Sequence, residues 1–315
     1  MQHYKKLFGL SVLASALMLS ACQPKKTEPE QSAASEVQAE VEQLKLTGNN
    51  QKLKLVLTDC DGKNCPEINI ERLNSNQAFI DQFIDEKIVL IMQTILSPDA
   101  LAQVQVEKKS DQEASSASEA TLAAVETPKQ KLEQQVQPYI ESLLKLDQEL
   151  KQLSANHSIS VMISPKILNA DQPLATVVMN SSQYLGGAHG SSAQSYYNFD
   201  LETKKLVQLD DILAAKQKAN LQAKAYEAFK NWVIDSKLAT DVAEYEQAWK
   251  FSLTDNFYLS KQGLVLQYAE YEIGPYVVGL PRLVIPYDQL QGILKPQYLP
   301  QEAQAASETK PASTK

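Results

Sequence analysis

The run SISVMISPKILNADQPLATVVMNSSQYLGGAHGSSAQSYYNFDL, residues 158–201, decides the fold class. Apolar and polar residues alternate over Ile159–Leu168, Leu174–Tyr184 and Ala193–Leu201, the period of half-buried strands. Between them stand Asn-Ala-Asp-Gln-Pro and Leu-Gly-Gly-Ala-His-Gly, built from residues that turn a chain. Three strands joined by such short connections read as an antiparallel sheet.

Towards the C-terminus, Leu206–Leu213 leads through Asp210-Asp211 into helical sequence that continues past Trp232, with another helical piece around Tyr245–Trp249. Strands follow at Phe257–Leu259 and Gly263–Tyr271, and after a segment marked by Pro and Gly at Leu283–Ile285. Towards the N-terminus, Leu132, Val136, Tyr139, Ile140, Leu143, Leu146, Leu150 and Leu153 recur at helical spacing, with Pro138 placed to kink or restart the helix. Further upstream, Phe79, Ile80, Phe83, Ile84, Ile88, Ile91 and Ile95 predict a helix capped by Asn74 or Asn76 and stopped by Ser97-Pro98. Before it, Leu53, Leu55 and Leu57 alternate with Lys54, Val56 and Thr58 as a strand, and Ile68 and Ile70 continue the alternation. The expectation is an α+β protein: a mostly antiparallel sheet with helices packed on one side, preceded by a small α+β segment.

Three stretches rich in Glu, Gln, Ala and Ser divide the chain, because so few large apolar residues cannot offset the entropy of ordering. They make residues 22–48 a stalk, 107–127 an interdomain linker or a long loop inside one domain, and 298–315 a tail. The folded parts are then 49–106 and 128–297.

At the start, Lys5 and Lys6 precede an uncharged run, Leu7–Leu19, that closes on Leu19-Ser20-Ala21-Cys22. This is the plan of a secretory signal over residues 1–21, and the run falls short of the roughly 20 apolar residues that a permanent span needs. Leucine, two small residues and cysteine resemble the lipobox of bacterial lipoproteins. That resemblance implies acylation of Cys22 and anchoring in a membrane, and Gln23 after it implies the outer membrane of a Gram-negative cell.

In that oxidising compartment Cys60 and Cys65, separated by Asp-Gly-Lys-Asn, are expected to form a disulfide. The rival reading, a metal site, has no further cysteine and only His157 and His189 to draw on. The formal charge of −8 becomes −10 when Lys5 and Lys6 leave with the signal. Nucleic acid is a poor partner for such a chain, whereas a basic partner is electrostatically suited.

No Gly-x-Ser-x-Gly elbow, P-loop, His-Glu-x-x-His or histidine pair at ligand spacing occurs, so neither catalysis nor a cofactor is expected. Two segments stand out. In Gly186-Gly187-Ala188-His189-Gly190 the glycines suit a turn, or a loop that presents N–H groups and an imidazole to a ligand. In Tyr268–Gly279, Tyr271 and Tyr276 offer aromatic area and Glu270 with Glu272 adds negative charge, or else the tyrosines are half-buried packing.

GGAHG (186–190) followed by YYNFDLETKKLVQLDDIL (196–213) and FYLSKQGLVLQYAEYEIGPYVVGLPRLVIPYDQL (257–290) resembles the C-terminal extracellular domain shared by the RsiV anti-sigma factor and the PdaC peptidoglycan deacetylase. The similarity runs over about residues 158–293, and Cys60–Leu96 resembles the smaller domain that precedes it in that family. RsiV's cytoplasmic sigma-binding segment and membrane helix have no counterpart here, nor do the metal-binding residues of the PdaC catalytic domain. The resemblance therefore implies the shared module alone, which in RsiV binds lysozyme. A non-enzymatic envelope lipoprotein that binds lysozyme or peptidoglycan is the leading expectation. The others are an enzyme acting on wall sugars, with His189 or Glu272 as acid or base, and a structural envelope factor.

The lipid reading has a direct test. Cys22→Ser is expected to release an unlipidated protein into the soluble fraction, and membrane retention with unchanged palmitate labelling contradicts it.

Overall fold

The protein is described from a computed structural model, which covers residues 44–58, 65–96, 126–152 and 159–300. Its centre is a six-stranded sheet in sequential order, β1 (Gly48–Lys52), β2 (Glu67–Ser75), β3 (Ser160–Asn169), β4 (Ala175–Tyr184), β5 (Ser191–Asp200) and β6 (Lys205–Val207). All neighbours are antiparallel except β2 and β3, which run parallel. A parallel pair needs a long crossover, and this one contains α1 (Ala78–Leu96) and α2 (Pro128–Gln152). The α+β class is as expected, with a mixed sheet.

The helices form because their apolar residues recur on one face, and they pack where the sheet is apolar. Ile80, Ile84 and Ile88 of α1 and Leu132, Val136, Ile140 and Leu143 of α2 share one core with Ile70, Val161, Ile163, Val177, Met179 and Phe199 of the sheet. Each such side chain, fully buried, contributes about 1.5–3 kcal/mol. Strands from both sides of residues 107–127 thus belong to one sheet and one core. Helix α2 runs unbroken through Pro138, whose carbonyl accepts from the Ser142 hydroxyl at 3.0 Å.

Two local expectations are corrected. Neither asparagine caps α1: its first turn closes on the Gln77 carbonyl, and Asn76 instead ties down the chain before β1, accepting from Thr47 N–H and donating to Lys45 O. The Leu53–Leu57 alternation is real, with Leu53 buried and Leu55 and Leu57 packed on the core, but the strand ends at Lys52. Beyond it, Lys54 N–H and Val56 N–H donate to the side chains of Glu133 and Gln137 on α2. Two extended residues advance about 6.6 Å and four helical residues about 6 Å, so residues four apart on a helix can serve alternate amides in place of a strand.

Arg72 on β2 is buried and makes a bidentate pair with Asp85 on α1 at 2.8–3.2 Å. Burial pushes the Asp85 carboxyl above its ordinary value, and Arg72 pulls it back.

After β6 the chain builds a second core. Helix α3 (Lys218–Asp235) points Leu221, Ala225, Phe229 and Val233 at a separate three-stranded sheet, β7 (Phe257–Leu259), β8 (Gly263–Gln267) and β9 (Arg282–Pro286). A one-turn helix, α4 (Val242–Tyr245), completes it, with Asp241 accepting from Ala243 N–H as its cap. Apart from Leu174, which packs in the second cluster, the apolar residues divide between the two clusters near β6, about residue 206.

The two sheets meet through amides. Asn198, only 1% exposed on β5, donates to the Phe257 carbonyl of β7 at 2.8 Å and accepts from the Thr176 hydroxyl of β4 at 2.9 Å. Asn256 accepts from Tyr196 N–H and donates to Gln194 O, both at 2.8 Å. Removing the first amide leaves the buried Phe257 carbonyl without its donor. Asn198→Ala is expected to lower stability by about 2 kcal/mol, read as a lower urea midpoint at unchanged slope.

Candidate functional site

The two segments singled out in the sequence converge in space. The β4–β5 connection turns through Gly186 and Gly187, at φ +91° and +98°, a region that glycine enters without a Cβ penalty. The Tyr184 hydroxyl donates to the Gly187 carbonyl at 3.0 Å and closes the loop. His189 is thereby left at the surface. Its Nδ1 stands 2.9 Å from the Gly190 carbonyl, and its Nε2 3.2 Å from the Tyr271 hydroxyl. A carbonyl only accepts, so Nδ1 carries a proton, and Nε2 lies within hydrogen-bond reach of the Tyr271 hydroxyl.

The partner loop is pinned from the second core. The Tyr245 hydroxyl donates to the Ile273 carbonyl at 3.0 Å, and a Cβ on Gly274 would stand 2.8 Å from that hydroxyl oxygen. From this base the Tyr276 ring stacks on His189 with centroids 4.0 Å apart, and its hydroxyl donates to Gly190 O at 3.1 Å. Tyr271 lies 5.6 Å from Tyr276, and the Trp249 ring stacks with Tyr271 at a centroid distance of 6.4 Å. Tyr271 has φ +64° and is 50% exposed. A left-handed tyrosine costs about 1–2 kcal/mol, and such strain gathers at functional sites. Val277, 86% exposed, continues the apolar surface.

The acidic residues of this loop turn elsewhere. Glu270 accepts from Ser192 N–H on β5 at 3.1 Å. Glu272 accepts from Ala269 N–H at 2.7 Å and lines a cleft of about 450 Å³ that His189 does not reach. Burial raises its carboxyl pKa, and the Ala269 N–H offsets part of that rise.

Of the six expected residues, His189, Tyr271 and Tyr276 form one stacked patch, Gly186 and Gly187 shape the loop that carries it, and Glu272 stands apart. Trp249 is an addition, while Glu270, expected with Glu272 to add negative charge, is engaged by Ser192 N–H. Trp249 is 22 residues from Tyr271 in a short helical context, and no local pattern marked it. Cys22, Cys60 and His157 lie outside the described residues, so the expected lipidation and the Cys60–Cys65 pairing have no structural account beyond the position of Cys65 just before β2.

Residues 210–288 match the model of a protein family of unknown function, DUF3298. The peptidoglycan-N-acetylmuramic acid deacetylase PdaC of Bacillus subtilis (strain 168) is 25% identical over 158 residues, 48% of this chain and 33% of that protein. The match thus spans about a third of the length of that relative. Among solved structures, a DUF3298 family protein of Pseudomonas aeruginosa PAO1 superposes with a TM-score of 0.54 at 24% identity, over 81% of this chain and 95% of that one. Another, from Bacteroides fragilis NCTC 9343, gives 0.54 at 19% identity, over 81% and 94%. These two share the fold.

The strain at Tyr271 makes a sharp expectation. Tyr271→Ala and Tyr271→Gly both lose the ring contacts, but only glycine relaxes the backbone. Tyr271→Gly should therefore be the more stable of the two by about 1 kcal/mol in urea unfolding, the reverse of the usual order.

Proposed function

We propose that this chain is a non-enzymatic ligand-binding module of the cell envelope, held to the outer membrane by lipid on Cys22. Its contact surface is the patch of His189, Tyr271, Tyr276 and Trp249. The observation that carries this reading is the strained, half-exposed Tyr271, hydrogen-bonded to a histidine 82 residues away. A fold that keeps a non-glycine residue left-handed to hold an aromatic ring at the surface is spending stability on presentation rather than on packing.

Exposed, mutually stacked aromatic rings bring large contact area with little entropy to lose on binding. The ligands proposed first are lysozyme, a cationic protein suited to an acidic chain of charge −8, and peptidoglycan. The similarity to a stretch of a peptidoglycan deacetylase supports an envelope setting. The imidazole and the Glu272 carboxylate belong to different surroundings, which favours binding over acid–base chemistry.

The test is direct binding of the full chain, solubilised in detergent, to lysozyme and to purified peptidoglycan. One of the two should bind saturably, and Tyr271→Ala and Tyr276→Ala should each weaken it by about tenfold or more. Lysozyme binding, if it is the one, should also fall as salt rises. Absence of binding to both at low salt removes these ligands.

A further inference from the structure

The 450 Å³ cleft beside the seam is walled on one side by the edge of β5, from Ala193 to Asn198. Strand β6 pairs only with Asn198–Asp200. Upstream, the even-numbered residues of β5 direct N–H and C=O away from β4, and no strand meets them. Side chains fill half of these positions. Asn256 accepts from Tyr196 N–H and donates to Gln194 O, the two bonds that one residue of a parallel neighbour would make across Ser195. Glu270 takes Ser192 N–H. Between them remain the Gln194 N–H and the Ser192 C=O, the same kind of step centred on Ala193. Among the described residues no group meets either.

The cleft also holds one cation, Lys87, among lining residues that include the carboxylates of Asp255 and Glu272. Lys87 of α1 lies over the Phe83 ring at 4.9 Å, is half-buried, and has no ion-pair partner among the described residues. We propose that this cleft takes an extended peptide with a free carboxylate. The peptide backbone fills the step across Ala193, running parallel to β5, and its carboxylate meets Lys87.

Geometry selects the peptide. The vacant step asks for a donor and an acceptor directed to the same side, as the N–H and C=O of a single extended residue are. The acetamido group of an amino sugar is a trans secondary amide, whose N–H and C=O point opposite ways, so it satisfies only half of the step. This site shares no aromatic residue with the proposed surface patch, and the inference stands independently of it.

Hydrogen exchange at the Gln194 amide, followed by NMR on the full chain in detergent, reads occupancy where it matters. Trialanine with a free carboxylate should slow that exchange saturably. C-terminal amidation of the peptide, or Lys87→Ala in the protein, should weaken the effect by about tenfold. Amidation on the unaltered protein gives the answer should the variant fail to fold. Trialanine methylated on both amide nitrogens, and N,N′-diacetylchitobiose, should leave Gln194 exchange unchanged. No slowing at millimolar trialanine, equal slowing by the methylated peptide or the sugar, or indifference to amidation overturns the proposal.

Discussion

The second core is fastened to β5 by two side-chain amides, one buried (Asn198) and one half-buried (Asn256). Asn198 reaches from β5 to the Phe257 carbonyl, and Asn256 reaches back to Gln194 and Tyr196. A side-chain amide carries a donor and an acceptor on one short arm, so it can pair with a backbone edge without a ladder. Replaced by apolar residues, these positions would bury carbonyls and N–H groups with no partner, at a cost comparable to a large share of a domain's net stability. The seam thus joins the two cores through specific polar contacts, alongside the Tyr196–Tyr258 stack at 4.3 Å.

That construction decides where the aromatic patch lies. The Tyr268–Gly279 loop leaves β8 at the seam, and Glu270 fastens it to Ser192 at the start of β5. His189, just before β5, therefore meets Tyr271 and Tyr276. The His189 loop is shaped by the first core's sheet and the tyrosine loop by the second core, so the patch exists only when the two cores are docked. The strain at Tyr271 is sustained by contacts from both sides: Trp249 from the second core and His189 from the first.

Much of the fold was legible in the sequence. Helix α1 ends at Leu96, where Ser97-Pro98 predicts its stop, and β3, β4 and β5 begin within two residues of the alternating stretches. The His189 and Tyr271 loops were legible as exceptional, because clustered glycines and tyrosines are local signals. The asparagine cap failed because Asn76 found a tertiary partner in the chain before β1. The Leu53–Leu57 strand failed because Glu133 and Gln137 offered its amides an equivalent set of acceptors. Trp249 and the two seam asparagines carried no local mark at all.

What the sequence by itself determined is the series of elements and the side of each that is buried, since burial imposes a period of two or of 3.6 on the residues of the same element. Only the tertiary structure decided which elements share a core, which edge of β5 is closed by amides, and which two loops meet. Those outcomes depend on donors and acceptors far apart in the chain. A buried polar group must find a partner, but its own neighbours in sequence do not say which.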